Sequence, residues 1–167
     1  MSPRAAARLE TLGRTDVYEY QAGKLDWMAA GLPTQGTNAT RPRAGTVART
    51  DVPTASLSER LGDVRERVRA AGWEAAVVVD PQRVVLGLLG AKELQKDGEL
   101  TVEVAMKPAP STFRPYVPIK EIAGFLVKHD FPSSPVTTSD GRLVGLVLRS
   151  DAVREAEGCP DCARSMI

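Results

Sequence analysis

The feature of this sequence that most constrains its fold is an internal repeat between residues 61 and 156. Apolar residues at positions i, i+3 and i+7 predict an amphipathic helix in each of two places. They are Leu61, Val64 and Val68 in the first, and Ile119, Ile122 and Leu126 in the second, 58 residues further along (61 to 119). The same offset pairs Trp73 with Phe131, Val78 with Val136, Leu86 with Val144 and Gly87 with Gly145, without a gap. Such a repeat indicates one supersecondary unit used twice.

Each copy is predicted to contain a helix, two strands joined by a tight turn, and a closing helix. The predicted strands span residues 75–79 and 84–89 in the first copy and 135–138 and 143–148 in the second, and charged helices at 91–96 and 150–155 close the copies. The Asp140-Gly141 pair favours a hairpin, because glycine tolerates the positive φ that tight turns require.

Neither copy alone has enough apolar surface for a good core, so the two are expected to pack together through their sheets. The predicted fold class is therefore α+β, with two βαββα units related by a pseudo-twofold axis and a short α/β appendage at the N-terminus. The residues expected between the sheets are Val77, Val79, Leu86, Leu88, Val136, Leu146 and Leu148.

The first 45 residues are predicted to form an appendage and a linker. We expect helices at residues 2–13 and 24–30, a short strand at 17–20, and a linker at 37–45, where apolar periodicity is absent. The predicted divisions are then 1–36, 37–45, 46–99, 100–156 and a tail at 157–167. The appendage should pack against the core or a partner subunit, or else be disordered, and its apolar residues are Leu9, Leu12, Tyr18, Tyr20, Trp27 and Met28.

The repeat resembles the CBS domain pair, also called a Bateman module. The segments that carry the resemblance are AAVVVDPQRVVLGLLGAKEL and SSPVTTSDGRLVGLVLRSDAV, joined by VAMKPAPSTFRP, in which a methionine precedes a proline-rich entry into the second motif. The resemblance covers residues 46–156. It implies a regulatory module without enzymatic activity that binds an adenine nucleotide or an S-adenosyl compound between the motifs. It also implies a homodimer formed through helices.

The resemblance also implies a ligand site in each copy. The family pattern is a glycine, three residues ending in Thr or Ser, two more residues, and an Asp that accepts hydrogen bonds from the ribose. The second copy has Gly145 and Asp151 but Leu148 at the hydroxyl position, with Arg149 beside it as a substitute phosphate contact. The first copy has Gly90 at the hydroxyl position and Glu93 at the acid position. The full set implied by the resemblance is Asp151, Arg149, Leu148, Gly145, Val136, Thr137, Thr112, Glu93, Gly90 and Thr54.

Alternative interpretations of these residues remain open. Asp151 could serve as an acidic residue in the first turn of the closing helix, and Glu93 could be a solvated helix residue. The departures at Leu148 and Gly90 are equally consistent with an interaction module whose clefts have degenerated and no longer bind a ligand.

The first forty residues resemble the C-terminal end of a rhodanese domain. The segments concerned are SPRAAARLETLG, DVYEY and AGKLDWMAAGLPTQG. In that family the matching helix follows the loop with the nucleophilic cysteine, a position that lies before Met1 here. We therefore expect no sulfurtransferase activity. The segment is either a remnant of a sulfurtransferase domain or the visible part of a longer protein whose start was misassigned.

Composition limits the remaining functions. A net charge of +1 indicates neither nucleic acid nor a membrane surface as partner, and we expect a soluble cytoplasmic protein. A single histidine, His129, argues against histidine-based catalysis and is expected at a helix end or on the surface. Cys159 and Cys162 form one CxxC, which supplies two of the four ligands of a structural zinc site. The pair could form an intersubunit metal site, take part in redox chemistry, or have no specific role.

Overall fold

The computed structural model describes residues 2–18, 20, 23–29, 32–36 and 41–158. Its elements are α1 (Ser2–Thr11), α2 (Gly23–Ala29), α3 (Ala44–Val47), β1 (Thr54–Ala55), α4 (Leu61–Ala70), β2 (Ala76–Val79), β3 (Val85–Leu89), a 3-10 turn (Glu93–Gln95), α5 (Val102–Ala105), β4 (Lys107–Pro108), α6 (Ile119–Lys128), β5 (Ser133–Thr137), β6 (Leu143–Leu148) and α7 (Arg149–Glu157). We call α4, β2, β3 and the 3-10 turn the first unit, and α6, β5, β6 and α7 the second unit. The predicted α+β class is confirmed.

The main helices of the two units, α4 and α6, repeat in length and in the way they end. Helices α4 and α6 each span 10 residues. The second residue beyond each helix is left-handed, Gly72 with φ 71° and Asp130 with φ 51°. The next N–H then donates back into the last turn, from Trp73 to the Val68 carbonyl over 3.0 Å and from Phe131 to the Leu126 carbonyl over 2.9 Å. These bonds satisfy carbonyls that a helix end leaves free.

The hairpin turns of the two units lie against each other. Each turn contains one left-handed residue, Arg83 with φ 65° and Gly141 with φ 84°, so the positive φ predicted at the Asp-Gly pair is confirmed. Val84 and Arg142, which are 58 positions apart, form an antiparallel bridge with each other. A bridge between equivalent residues places them on the pseudo-twofold axis.

The two sheets differ in how much of their ladder is regular. The first has the order β1-β2-β3-β4, with β1 parallel to β2 and the other neighbours antiparallel. The second contains the antiparallel pair β5-β6, and single bridges extend it on both sides. Phe113 pairs with Val136 on one side, and Arg49 pairs with Leu146 on the other. The same four-strand arrangement is therefore present in both units.

Each unit is completed by a short helix that precedes the other unit in sequence. In α3, the Ala44 N–H donates to the Val117 carbonyl beside α6 over 2.9 Å. In α5, the Val102 N–H donates to the Glu59 carbonyl beside α4 over the same distance. Ala44 is fully buried in the second unit, although the sequence predicted a linker through residue 45. The linker prediction missed α3 because four residues are too few to show helical periodicity.

The core has three clusters, two under the helices and one between the sheets. The helical faces predicted from the repeat are confirmed, since all six of their apolar residues are buried. Of the seven residues expected between the sheets, five lie there: Val77, Val79, Leu88, Leu146 and Leu148. The prediction was wrong for Leu86 and Val136, which pack under the helices instead. The register of β2 and β3 shifts at Leu86, so Leu86 faces the opposite side from Leu88 although the two are only two residues apart. Val136 pairs with Gly145, which alternates with Leu146, so Val136 lies on the face opposite to Leu146.

The N-terminal predictions hold for the helices and fail for the strand, and packing against a partner subunit stays a prediction. Helix α2 and most of the predicted first helix are present. Val17, Tyr18 and Tyr20 lie outside the strands of the described chain, so the strand predicted at 17–20 was wrong. Leu9 and Leu12 are exposed, and the buried clusters among the described residues begin at Ala44. A segment with high β-propensity forms a strand only when a neighbouring strand is available for backbone hydrogen bonds.

The closing helix of the first unit is also shorter than predicted. Residues 91–96 were expected to be helical, but only the 3-10 turn at 93–95 forms. In that turn the Glu93 carboxylate accepts a hydrogen bond from the Gly90 N–H over 3.0 Å. This side-chain cap holds a single tight turn, whereas α7 continues to residue 157 in the second unit.

Candidate functional site

The candidate site is centred on Asp151, in the first turn of α7. Asp151 is 3% exposed. Its Oδ2 accepts a hydrogen bond from the Arg49 Nε over 2.7 Å, and its Oδ1 lies 2.9 Å from Arg154 Nη2. Both carboxylate oxygens of this buried residue are thus paired with arginines.

Electrostatics keeps this carboxylate ionised. The hydrogen bond from Arg49 lowers the pKa of Asp151 below its usual value, and burial opposes this only in part. The nearby Arg154 charge lowers the pKa further. Reciprocally, the hydrogen bond to Asp151 raises the pKa of Arg49. Asp151 therefore presents a full negative charge at neutral pH.

Arg49 reaches Asp151 because its backbone is docked on β6. The Arg49 N–H donates to the Leu146 carbonyl over 2.9 Å, and the Leu146 N–H donates to the Arg49 carbonyl over 3.0 Å. A Cβ at Gly145 would lie 2.7 Å from the Arg49 carbonyl oxygen. Gly145 is therefore required for this close approach, a role different from ligand contact.

Two cavities adjoin the Arg49 side chain. The larger, of about 690 Å³, contains Asp151 and is lined by Arg41, Pro42, Thr46, Val47, Arg49, Asp151, Arg154 and Glu155. The smaller, of about 300 Å³, lies between the two units. Its lining includes Arg49, Trp73, Gly90, Leu148 and Ser150. Arg49 is common to both cavities, and its guanidinium carbon also lies 5.7 Å from the centroid of the Trp73 ring.

The predicted residues of the second copy are dispersed. Leu148 lines the smaller cavity, on the other side of Arg49 from Asp151. Arg149 pairs with Asp130 over 2.6 Å instead of facing a cavity. Thr137 is buried and its hydroxyl accepts a 2.7 Å hydrogen bond from Arg114.

Other predicted residues lie elsewhere in the fold. Val136 is buried under α6, and Thr112 is exposed. Thr54 is half-buried in β1, and its carbonyl accepts a 2.8 Å hydrogen bond from Arg67. None of the three is among the lining residues of the two cavities.

The site of the first copy is arranged differently. The carboxylate of Glu93, the equivalent of Asp151, accepts a hydrogen bond from the Gly90 N–H. Lys107, the equivalent of Arg49, has its ammonium 4.6 Å from the centroid of the Phe131 ring. The backbone positions repeat, but the carboxylate and the cation of the first copy have separate partners.

Three arginines of the larger cavity were missed from the sequence. Arg154 follows Asp151 by three residues, and a helical i,i+3 pair was visible in the sequence. Arg49 could have been found by extending the repeat upstream, because Lys107 lies 58 positions later (49 to 107). Arg41 carries no comparable signal.

His129 is exposed at the C-terminal end of α6, as expected, and its ring centroid lies 4.5 Å from that of Phe125 with the ring planes tilted by 43°. Cys159 and Cys162 lie outside the described residues.

Across the ranges that the structure describes, no group of three His, Cys, Asp or Glu residues could hold a metal ion. Within the same ranges, no helix has both the length and the apolar character to cross a membrane.

Known proteins share the fold described above. The family model of the CBS domain matches residues 101–158. The cytosolic domain of the Mg²⁺ channel MgtE, solved with ATP, is 24% identical with a TM-score of 0.63, over 70% of this chain and 50% of that one. The fold is that of a CBS domain pair.

Two further structures share the CBS-pair fold. CBSX2, a CBS-pair protein of Arabidopsis thaliana solved with AMP, is 22% identical with a TM-score of 0.62, over 69% of this chain and 96% of that one. The CBS pair of MJ0100, solved with 5-methylthioadenosine and S-adenosyl-L-methionine, is 18% identical with a TM-score of 0.64, over 71% and 98%. No curated protein gave a significant sequence match. The family model leaves residues 1–36 uncovered, so their resemblance to a rhodanese domain stays a prediction.

Proposed function

We propose that this CBS pair is a regulatory module that binds an adenine nucleotide or another adenosyl compound in the cleft beside Asp151. The observation that carries the proposal is a buried, ionised carboxylate at the wall of a cavity of about 690 Å³. A carboxylate in that place can accept hydrogen bonds from both hydroxyls of a ribose. The position is the one at which the CBS pattern expects the ribose-binding acid.

The ligands of similar structures support this choice. ATP, AMP, 5-methylthioadenosine and S-adenosyl-L-methionine occur in complexes of three proteins with a similar fold. All four contain an adenosine group, which is the part a ribose-binding carboxylate would recognise. The regulatory role follows if the ligand binds two arrangements of the module with different affinity, because only then can it shift their populations.

A thermal-shift screen with AMP, ADP, ATP, S-adenosylmethionine and NAD tests the proposal. A ligand at 100 times its dissociation constant stabilises by about 2.7 kcal/mol, which raises the melting temperature by several degrees for a domain of this size. Asp151→Asn should abolish the shift, whereas Asp63→Asn, on the exposed face of α4, should keep it. The proposal fails if no adenosyl compound shifts wild type, or if Asp151→Asn responds like wild type.

A second candidate is an interaction module without a ligand. It is favoured by Leu148, an apolar side chain where the pattern has a hydroxyl, and by the engagement of Glu93 with its own turn. Under this alternative the Arg49–Asp151 pair is purely structural. A flat ligand screen combined with capture of a defined protein partner would support it.

The organisation of the whole protein is part of the proposal. We propose that residues 46–99 and 100–156 are the two motifs, joined by a linker to the N-terminal segment, in a cytoplasmic homodimer formed through helices. Light scattering of the purified chain should give twice the mass of 17.9 kDa. We also propose that the rhodanese-like segment has no sulfurtransferase activity. Transfer of sulfur from thiosulfate to cyanide by the purified chain would contradict this.

A further inference from the structure

Arg49 obstructs the cleft in which the proposed ligand would bind. Its side chain lines the larger cavity together with Asp151, and it lines the smaller cavity together with Leu148 and Ser150. It also holds the Asp151 Oδ2 at 2.7 Å. A ligand that places its ribose on Asp151 and extends toward Ser150 must therefore displace the Arg49 guanidinium.

An anionic group on the ligand would give the displaced guanidinium a new partner. Arg49 gives up a charge-assisted hydrogen bond when it leaves Asp151, and an anionic acceptor would restore one. Asp51 is the other carboxylate that acts electrostatically on Arg49. A 5′ phosphate on the bound adenosine would supply an acceptor inside the cleft, where guanidinium and phosphate match bidentately.

The charges around the larger cavity favour such an anion. Its lining contains Arg41, Arg49 and Arg154 against Asp151 and Glu155, an excess of one positive charge. Once a ribose occupies Asp151, the carboxylate still has Arg154 as its partner. The sulfonium of S-adenosylmethionine would place a positive charge beside the released Arg49, and the single carboxylate of this ligand is accompanied by an ammonium group.

We propose that Arg49 is a specificity-determining residue that leaves Asp151 when the ribose binds and pairs with an anionic 5′ group, so that the cleft selects nucleotides over adenosine and over S-adenosyl compounds. This inference rests on the proposed function, and it names the ligand class of the same site. The first unit lacks an equivalent cation–carboxylate pair, because Lys107 contacts the Phe131 ring and the Glu93 carboxylate accepts a hydrogen bond from the Gly90 N–H.

The decisive measurement is calorimetric binding of AMP, adenosine and S-adenosylmethionine, because AMP differs from adenosine only by the 5′ phosphate. Wild type should bind AMP at least about tenfold more tightly than either of the others. Arg49→Ala should bring the AMP-to-adenosine ratio close to one, with adenosine bound as well as before or better, since Asp151 is uncovered. Arg49→Lys, which keeps the charge but not the bidentate geometry, should give an intermediate ratio.

Lys107→Ala is the matched control, at the equivalent position of the first unit, and should keep the wild-type ratio. Trp73 supplies a second readout in a Trp27→Phe background, in which it is the remaining tryptophan. AMP should change the Trp73 emission because Arg49 leaves its ring, and this change should be absent in Arg49→Ala.

The possible failures are distinguishable. If no adenosyl compound binds wild type, the proposed function falls and this inference falls with it. If adenosine or S-adenosylmethionine binds wild type as tightly as AMP, the proposed function stands and the inference is overturned. Retention of the wild-type ratio by Arg49→Ala would overturn it as well.

Discussion

Asp151 and Glu93 lie 58 positions apart, at equivalent places in the two repeated units, yet their carboxylates have different partners. Asp151 is buried between two arginines beside a cavity, whereas Glu93 caps its own turn. The difference comes from small changes nearby. At the 3-10 turn, Glu93 has one more methylene than aspartate, and its carboxylate bonds the N–H of Gly90 three residues earlier.

The basic residues opposite these carboxylates diverge as well. The backbones of Arg49 and Lys107 are both paired with equivalent strand residues of the repeat, Leu146 and Leu88, next to Gly145 and Gly87. Arg49 contacts both a carboxylate and the Trp73 ring, whereas Lys107 contacts a ring. A guanidinium has several donors in a plane and can serve both partners, which an ammonium does less readily. The repeated fold thus fixes the backbone positions of these residues, and the chemistry of each side chain decides what each site can bind.

The largest expected effect tests whether the two helical cores are independent. Leu126→Ala, in the fully buried cluster under α6, should lower the free energy of unfolding by about 3 kcal/mol. Val68→Ala, at the equivalent position under α4, should lower it by about 2 kcal/mol because fewer carbons are removed. Urea denaturation of both single variants and the double variant measures this. The effects should add, since the clusters are separate; a deviation of more than about 1 kcal/mol would show that they are coupled.

The next comparison concerns the two glycines that allow a neighbouring segment to approach. A Cβ at Gly145 would lie 2.7 Å from the Arg49 carbonyl oxygen, which cannot move without loss of its bridge to Leu146. At Gly87 the closest atom would be the Met106 sulfur, near the end of a flexible side chain. Gly145→Ala should therefore cost about 2 kcal/mol of stability and Gly87→Ala about 1 kcal/mol. Equal losses in thermal denaturation would count against this account of Arg49 docking.

A smaller difference in stability is expected between substitutions of the two basic residues, Arg49 and Lys107. Arg49→Gln removes one of two cations from a buried carboxylate, but the arginine side chain is 47% exposed. We expect a loss of about 1.5 kcal/mol, less than for a fully buried pair. Lys107→Gln loses only a cation–π contact and should cost about 0.5 kcal/mol. Chemical denaturation at low and high salt checks both values, and a larger loss for Lys107→Gln would reverse the comparison.

The last comparison concerns pH. Because the folded pKa of Asp151 is lowered, chiefly by Arg49, its contribution to stability is full above the pKa of an unfolded aspartate. It is lost as the pH falls through the lower, folded pKa. Carbon-13 NMR titration of the Asp151 carboxyl should show a pKa increase in Arg49→Gln and a smaller increase in Arg154→Gln. A larger pKa increase in Arg154→Gln would mean that Arg154, and not Arg49, is the main cause of the low pKa of Asp151.

Much of the fold could be predicted from the repeat. The buried faces of α4 and α6, the strand β6 and the turn at Gly141 follow from apolar spacing and from the demand for positive φ. Short elements escaped prediction because three or four residues show no periodicity, as at α3 and in the 3-10 turn. The strand expected at 17–20 failed for a different reason: propensity cannot supply a neighbouring strand.

The candidate site was predicted less completely than the fold. Asp151 could be found because it stands at a fixed distance from Gly145 in a known pattern. Arg49, its closest partner, lies 102 residues away in sequence, and no local spacing connects the two.

The sequence by itself determined which residues are repeated, which faces of the long helices are apolar, and where the tight turn forms, because these depend on neighbours along the chain. Only the tertiary structure decided that α3 and α5 complete the opposite units and that Arg49 contacts Asp151. Both outcomes depend on which segments the pseudo-twofold packing brings together. The physical reason is that partner choice is set by the space and charge at a packed interface, which are properties of the assembled chain.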